Sequence, residues 1–437
     1  MAVVEMELDV PDGVEIRGYE RIDRGHAFEV DWRLPEEVTC DKCGRCQQVH
    51  VHLGEKMHVI RDLDIQGLPA FFVYQPPYHR CDWCCHRQWL IPPFKRKHVT
   101  CTLRFEEQVL RMMIGSTEEE VGRRLGISAE MVRQIINHRM KDEQRVAPDR
   151  VITDVGMDEI SLKKRHKLYA TILTDLTCPD QPRILAVAPG RDQTAARACL
   201  ERLSSVQREQ VRTHRTDMSS SYTAACAEHL PNSQQVIDRF HVAQKLGEIV
   251  DRVRKKKTRA YKKGLATQAR KKFRSQMWAF RKRPQELTPD EHAQLAELFG
   301  QIPDLELPYY FRQAITNIFD HAASREEAAQ QLEELRAQMD PDDEDNQILL
   351  EFFATYDEHR SGILAYFDER KTSGPVEGLN NKARVITKRC YGIKDTRTLW
   401  ARLCLDVNLA SLAVSFTVNH IHDIANQIRT VFLGYYT

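Results

Sequence analysis

The stretch VITDVGMDEIS at 151–161 is followed by KLYATILTDL at 167–176 and RILAVAPG at 183–190. All three are short and rich in β-branched residues, and charged or Gly/Pro-containing turns separate them, so they read as three sequential strands. A helix is expected near TAARACLERLSSV at 194–206, then a fourth strand ending at Thr216. Asp217 falls at the carboxyl end of that strand, and Ser219 to Ser221 can cap the helix YTAACAEHL. A fifth strand, QQVID, leads into the helix RFHVAQKLGEIVDRV. In an open α/β sheet, functional groups gather at the carboxyl ends of the strands. Asp158 on the first strand and Asp217 after the fourth are therefore candidate site residues. Asp238, ending the fifth strand, competes with Asp217, and Asp154, an even spacing from Asp158 and able to share its face, competes with Asp158. His241 and Asp238 are candidates for a supporting shell around the acids. Glu159 should point to the opposite sheet face.

A third acid, Glu377, stands in SGPVEGLNNKARVITKRCYG, near the start of a helix beginning around Pro375. Proline is tolerated there and the helix dipole favours a carboxylate. Asn380, Asn381, Lys382, Arg384, Lys388 and Arg389 recur on adjacent faces of this helix and are candidates for phosphate or base contacts. A solvated basic face is the other reading.

The amino-terminal third carries an independent signal. Cys40-x-x-Cys43 and Cys81-x-x-Cys84 form two knuckles whose spacing suits tetrahedral thiolate coordination of structural Zn²⁺. Cys46, Cys85, His79 and His86 are alternative ligands. Between the knuckles, HVIRDLDIQGLPAFFVY has strand-like stretches. Further on, STEEEVGRRLGISAEMVRQIINHRM at 116–140 has the shape of a helix-turn-helix. The first helix starts near Thr117, the turn falls at Gly126, and Ser128 caps the second helix. Val121, Leu125, Ile127, Val132 and Ile136 are the expected packed residues. Arg133, Gln134, Asn137 and Arg139 are the candidate DNA contacts, Gln and Asn suiting adenine and Arg suiting guanine or phosphate.

The chain has 437 residues, 42% of them hydrophobic, enough for more than one core. No apolar run reaches the length of a bilayer span. No apolar signal segment is read and the other cysteines are scattered, which favours a reducing cytosol over disulfides. With 64 basic against 63 acidic residues the net charge is +1, so attraction to DNA would be local. DRVRKKKTRAYKKG and QARKKFRSQMWAFRKRP form a strongly basic stretch interleaved with Tyr261, Phe273, Trp278 and Phe280. It either grips phosphates and stacks on bases or is a solvated helical face with its aromatics turned inward. The segment between Asp238 and Glu377 is dominated by helical patterns such as EEAAQQLEELRAQM, broken by DPDDEDN. The carboxyl tail at 398–428 reads as apolar helices that pack on the core.

MDEIS, RTDMSSSYTAACAEHLPNSQQVIDRFHV and GPVEGLNNKARVITKRCYGIKD resemble the successive motifs of insertion-sequence transposases of the ISL-three group. The resemblance covers most of the chain. It implies a multidomain α/β protein: a zinc-binding module at 1–100, a helix-turn-helix at 101–148, and an RNase H-like DDE domain at 149–437 with a helical insertion at about 255–370. Carried over, the catalytic triad is Asp158, Asp217 and Glu377, holding two catalytic Mg²⁺ (or Mn²⁺) that clamp the attacking and leaving oxygens of a phosphodiester. The implied partners are double-stranded DNA, both terminal inverted repeats and target, and further copies of the chain, since two ends must be brought together. The implied place is the bacterial cytoplasm, on the nucleoid. Two other readings stand beside it: a catalytically inactive, transposase-derived DNA-binding regulator, and a zinc-dependent hydrolase. The Cys knuckles look like closed structural sites, which argues against the hydrolase.

Overall fold

The computed structural model describes residues 10–11, 13–142, 146–147, 149–163, 168–263, 266–370, 374–393 and 395–409. The chain divides into two compact units, one of residues 1–143 with 404–437 and one of residues 144–403. The expected carboxyl-terminal helices beyond 409 lie outside the described residues. Among the described residues no helix is long and apolar enough to cross a membrane.

Among the described residues the first unit holds nine strands: β1 (Val14–Ile22), β2 (Gly25–Trp32), β3 (Glu37–Thr39), β4 (Cys46–Gln48), β5 (Val51–Leu53), β6 (His58–Ile65), β7 (Leu68–Tyr74), β8 (Pro77–Arg80) and β9 (Arg87–Trp89). They form a four-stranded sheet of order β1-β2-β7-β6, the hairpin β3-β4, and the three-stranded sheet β5-β8-β9. Phe28, Val30, Trp32, Ile60, Phe72 and Phe94 make the core beside the larger sheet. Each cysteine knuckle is the turn of a hairpin, one between β3 and β4 and one between β8 and β9. The two turns are built alike. The Gly44 amide bonds the Cys40 carbonyl at 2.9 Å and the Cys85 amide bonds the Cys81 carbonyl at 2.9 Å. Gly44 and Cys85 both have left-handed backbone, φ 73° and 56°. Only the first suits its residue, because a Cβ in that region costs about 1–2 kcal/mol. Cys85→Gly is accordingly expected to raise stability by about 1 kcal/mol, read as a higher urea midpoint at unchanged slope.

Three helices follow, α1 (Leu103–Met113), α2 (Glu118–Leu125) and α3 (Ala129–Asp142). Thr117 caps α2 by accepting from the Glu120 amide, and Ser128 Oγ accepts from the Met131 amide at 3.1 Å at the head of α3. Gly126 makes the turn with φ 65°, as its position predicts. Val121, Leu125, Val132 and Ile136 are buried as expected, while Ile127 is only half-buried. The helical turn Cys404–Asn408 belongs to this unit, and Asp406 accepts from the Gly115 amide at 2.8 Å.

The second unit holds β10 (Asp154–Lys163), β11 (Leu168–Asp175) and β12 (Arg183–Pro189), then α4 (Gln193–Leu200), α5 (Ser205–Gln210), β13 (Thr213–Thr216), α6 (Ser220–His229), β14 (Gln234–Ile237) and α7 (Arg239–Lys263). This is the expected order with one short extra helix, α5. The sheet order is β12-β11-β10-β13-β14. β10, β11 and β12 are antiparallel neighbours, and β13 and β14 continue parallel to β10. Val155 and Met157 face α4 and α6, packing with Ala195, Cys199 and Tyr222. The chain then continues as α8 (Thr267–Ala279), α9 (Pro289–Gln301), α10 (Glu306–His321), α11 (Arg325–Ala337), α12 (Glu344–Glu358), α13 (Arg360–Glu369), α14 (Gly374–Arg389) and α15 (Thr396–Leu403). The helical array buries Phe311, Phe352 and Phe353 in a core that also takes in Val242, Leu246 and Ile249 of α7. The array therefore starts with α7 itself, rooted on β14 through Val236 and Ile237.

Candidate active site and metal cluster

β10 and β13 meet with Gly156 opposite Arg215. Two residues further along each parallel path come Asp158 and Asp217, so the register brings acids far apart in sequence to one level of neighbouring backbones, about 4.8 Å between strands. Burial pushes the Asp158 carboxyl above the ordinary carboxylate range, and the Asp217 charge adds to the rise. The Glu159 amide, His241 and Arg384 pull the other way. The Glu159 amide donates to Asp158 Oδ1 at 2.7 Å. Asp217 Oδ1 accepts from the Ser219 amide at 2.9 Å, so the acid itself turns the chain into α6. The serines make no side-chain cap there, contrary to expectation.

Strand alternation sends Glu159 to the opposite face, where the Tyr222 hydroxyl donates to it at 3.3 Å. Burial raises the Glu159 carboxyl, and Asp158 and Asp217 raise it further.

On the Asp158 side, α14 lies close against β10. A Cβ added at Gly156 would stand 2.5 Å from Val376 Cγ2 and 3.0 Å from Leu176 Cδ1. Glycine is the residue that admits this approach. The closeness lets Asn380, 2% exposed, donate through Nδ2 to Asp158 Oδ2 at 2.5 Å. Asn380 was a candidate phosphate or base contact; instead it is buried and holds the carboxylate. The signal was its spacing, one turn after Glu377 on the same helix. Glu377 is exposed in the first turn of α14. Gly156→Ala should push α14 off the strand, lowering stability by about 1–3 kcal/mol. The loss would be read by thermal unfolding.

The rival acids are occupied otherwise. Asp154 is buried and accepts from Thr213 Oγ1 at 2.5 Å and Thr153 Oγ1 at 2.9 Å. Asp238 is buried at the head of α7, with Oδ1 accepting from the Phe240 amide at 2.6 Å. His241 is half-buried and shares with Asp217, Ser219, Lys245, Glu358 and His359 an open cavity of about 420 Å³. Lys382, Arg384 and Lys388 are exposed on α14, and Arg389 is half-buried. Arg384 donates to Asn381 Oδ1 at 2.7 Å.

On α3, Arg133, Gln134 and Asn137 are exposed and lie on one side of the helix, Arg133 paired with Glu130 at 2.6 Å. Arg139 is half-buried and turned away from that side.

The Sγ atoms of Cys40, Cys43, Cys81 and Cys84 all lie within 4.8 Å of one another, a set able to hold a metal ion. Cys40 and Cys84 sulfurs are 3.6 Å apart, and those of Cys43 and Cys81 3.7 Å. A disulfide needs about 2.05 Å. Four sulfurs at about 2.3 Å from a tetrahedral Zn²⁺ would be about 3.8 Å from each other. The Cys43 and Lys42 amides hold the Cys40 thiol below its usual range, and the Cys84 amide brings Cys81 down to about 7. The His86 amide acts the same way on Cys84, but burial and the three neighbouring sulfurs push that thiol up to about 12. Three of the four alternative ligands are engaged elsewhere. His79 pairs with Gln47 and accepts from the His50 amide, His86 meets Asp41 at 2.8 Å, Cys46 meets Glu37, and Cys85 is exposed.

Two acids level on neighbouring strands, in a chain that also carries a helix-turn-helix, define a class, and sequence comparison places the chain in it. Residues 155–403 match the family described as Transposase, of the ISL3 group, and residues 91–140 match the helix-turn-helix domain of transposase family ISL3. The chain belongs to the ISL3 family of DDE transposases. Among individual proteins it is similar to the transposase for insertion sequence element IS1001 of Bordetella parapertussis, 26% identical over 88% of this chain and 94% of that one. It is also similar to the transposase for insertion sequence element IS1557 of Mycobacterium tuberculosis, 24% identical over 88% of this chain and 89% of that one.

Proposed function

We propose that this transposase binds the terminal inverted repeats of an insertion sequence, cuts DNA at their boundary and joins the cut end to target DNA, with Asp158, Asp217 and Glu377 as the catalytic acids. The observation that carries the reading is the parallel register that levels Asp158 with Asp217 beneath α14. The strand order β12-β11-β10-β13-β14 supports an RNase H-like fold, three antiparallel strands continued by two parallel ones.

The acids suit a divalent cation. Each Asp158 oxygen accepts one hydrogen bond and keeps a lone pair for a ligand, and carboxylate oxygens are the hard donors Mg²⁺ prefers. When bound, Mg²⁺ neutralises charge on the phosphate and lowers the pKa of the attacking water or 3′-hydroxyl. Asn380 and the Glu159 amide fix the plane of Asp158. The Ser219 amide fixes one oxygen of Asp217. Glu377, one turn before Asn380, contributes its carboxylate from α14. Arg384, close enough to act on Asp158, offers positive charge to a phosphate beside the acids.

For the DNA contacts, Arg133, Gln134 and Asn137 present the reading face of α3, and Lys382, Arg384, Lys388 and Arg389 hold the backbone near the cut. The four cysteines hold structural Zn²⁺. A dimer or larger assembly pairs the two ends. The test is incubation of the protein with its flanking inverted repeats and Mg²⁺ or Mn²⁺. Nicking at the repeat boundary is expected. Specific binding with no cleavage under either metal would instead favour the inactive DNA-binding regulator.

A further inference from the structure

The basic stretch of α7 and α8 carries more positive charge than its surroundings neutralise, and most of the surplus lines one cavity. Lys256 and Lys257 are matched by Glu344, Asp345 and Asp304. Lys272 meets Glu297, Lys282 meets Glu291 and Arg283 meets Asp320. Among the described residues Lys262, Lys263, Arg274 and Arg281 form no such ion pair; Asp251, which acts on Lys262 and Arg281 from further off, is itself paired with Arg254 and Lys255. These four, with Arg254 and Trp278, line a cavity of about 690 Å³ formed by α7, α8 and the turn that follows. That volume lies within the roughly 300–1,000 Å³ usual for ligand clefts. Partial desolvation and the nearby Arg254, with a smaller push from Arg281, hold the Lys262 ammonium below its usual range against the opposing pull of Asp251. An anion entering the cavity would relieve that crowding.

The aromatics separate cleanly. Phe273 and Phe280 are 4% and 1% exposed in the helical core, and Tyr261 is half-buried with its hydroxyl donating to Gln301 at 2.7 Å. Trp278 alone of the four is turned outward, 65% exposed, with the Arg281 guanidinium 5.8 Å from its ring centroid. Cations by themselves would serve a duplex backbone, whose bases are stacked on each other and offer no face. An exposed indole among cations adds a stacking surface, which has a use only where a base is unpaired.

We propose that this cavity binds an unpaired nucleotide of the DNA, its phosphates held by Lys262, Lys263, Arg274 and Arg281 and its base stacked on Trp278. The inference rests on the DNA-cutting reading above and assigns the helical insertion a grip on single-stranded DNA at or near the cut.

The test uses the full chain and two probes of one sequence, a blunt duplex and the same duplex with a short single-stranded extension carrying 2-aminopurine. Affinity is measured by anisotropy at fixed salt, and stacking by quenching of the 2-aminopurine emission. The wild type should prefer the extended probe and quench it. Trp278→Ala should weaken the extended probe by about tenfold, abolish the quenching and leave the blunt duplex unchanged. Trp278→Phe should keep most of both. Arg274→Ala should reduce the salt slope for the extended probe by about 0.7. Equal binding of the two probes without quenching, or an equal loss on both in Trp278→Ala, would overturn the proposal. Cleavage of repeat ends is scored separately. Cleavage without extension preference removes only the pocket, whereas quenching that depends on Trp278 without any cleavage keeps the pocket and removes the DNA-cutting reading.

Discussion

Asp158→Ala and Asp217→Ala are each expected to lower cleavage at the repeat boundary by at least about 10³-fold while leaving binding to the repeat largely intact. The two acids stand level on neighbouring parallel strands, so each loss removes an oxygen donor from one centre. Glu377→Ala should behave the same way from the α14 side. Cleavage at the wild-type rate by any one variant would take that residue out of the centre. The loss should not be one of folding. Burial holds the Asp158 carboxyl above its ordinary range, so the charged form opposes folding once the pH exceeds the ordinary carboxylate value. Asp158→Asn is therefore expected to stabilise the metal-free protein at neutral pH. The gain should be full above the raised pKa of Asp158 and vanish as the pH falls below the unfolded value. An inactive variant with a higher melting temperature would separate chemistry from stability in one experiment.

Removing metal from the Cys40–Cys43–Cys81–Cys84 cluster should act on the other half of the function. The four sulfurs draw together two hairpin turns from separate sheets of the first unit. In such modules the metal-binding free energy is folding free energy. Chelation, or Cys81→Ser, should unfold this region and lower affinity for the inverted repeat toward the nonspecific level, by about 10³-fold or more. Zinc content by mass spectrometry, circular dichroism and anisotropy would follow the three together. Loss of cleavage with repeat binding unchanged would show a catalytic metal there and overturn the structural role.

Much of this was legible in the chain because the signals are local. Alternating β-branched runs between turns identify β10, β11 and β12, and a cysteine pair two residues apart identifies each knuckle. Thr117, Gly126 and Ser128 mark the boundaries of α2 and α3 by side chains that cap or turn the backbone at once. The place of Asp158 on the first strand and of Asp217 just after the fourth, and motifs resembling a transposase, point to the same two residues from two directions.

What depended on contacts between distant segments was left for the tertiary structure. Asn380 reads as one more polar residue of a basic helix, and only the approach of α14 across Gly156 makes it the partner of Asp158. The choice of Cys40, Cys43, Cys81 and Cys84 over Cys46, Cys85, His79 and His86 rests on which side chains two separate hairpins turn toward each other. Among Tyr261, Phe273, Trp278 and Phe280, composition could not say which face inward, because that follows from how α7 and α8 are rotated against their neighbours. By itself the sequence determined the elements, their order and the residue types available for chemistry, since propensity, capping and alternation act within a few residues. The tertiary structure decided which of those residues meet, because strand register and helix packing join positions that no local pattern connects.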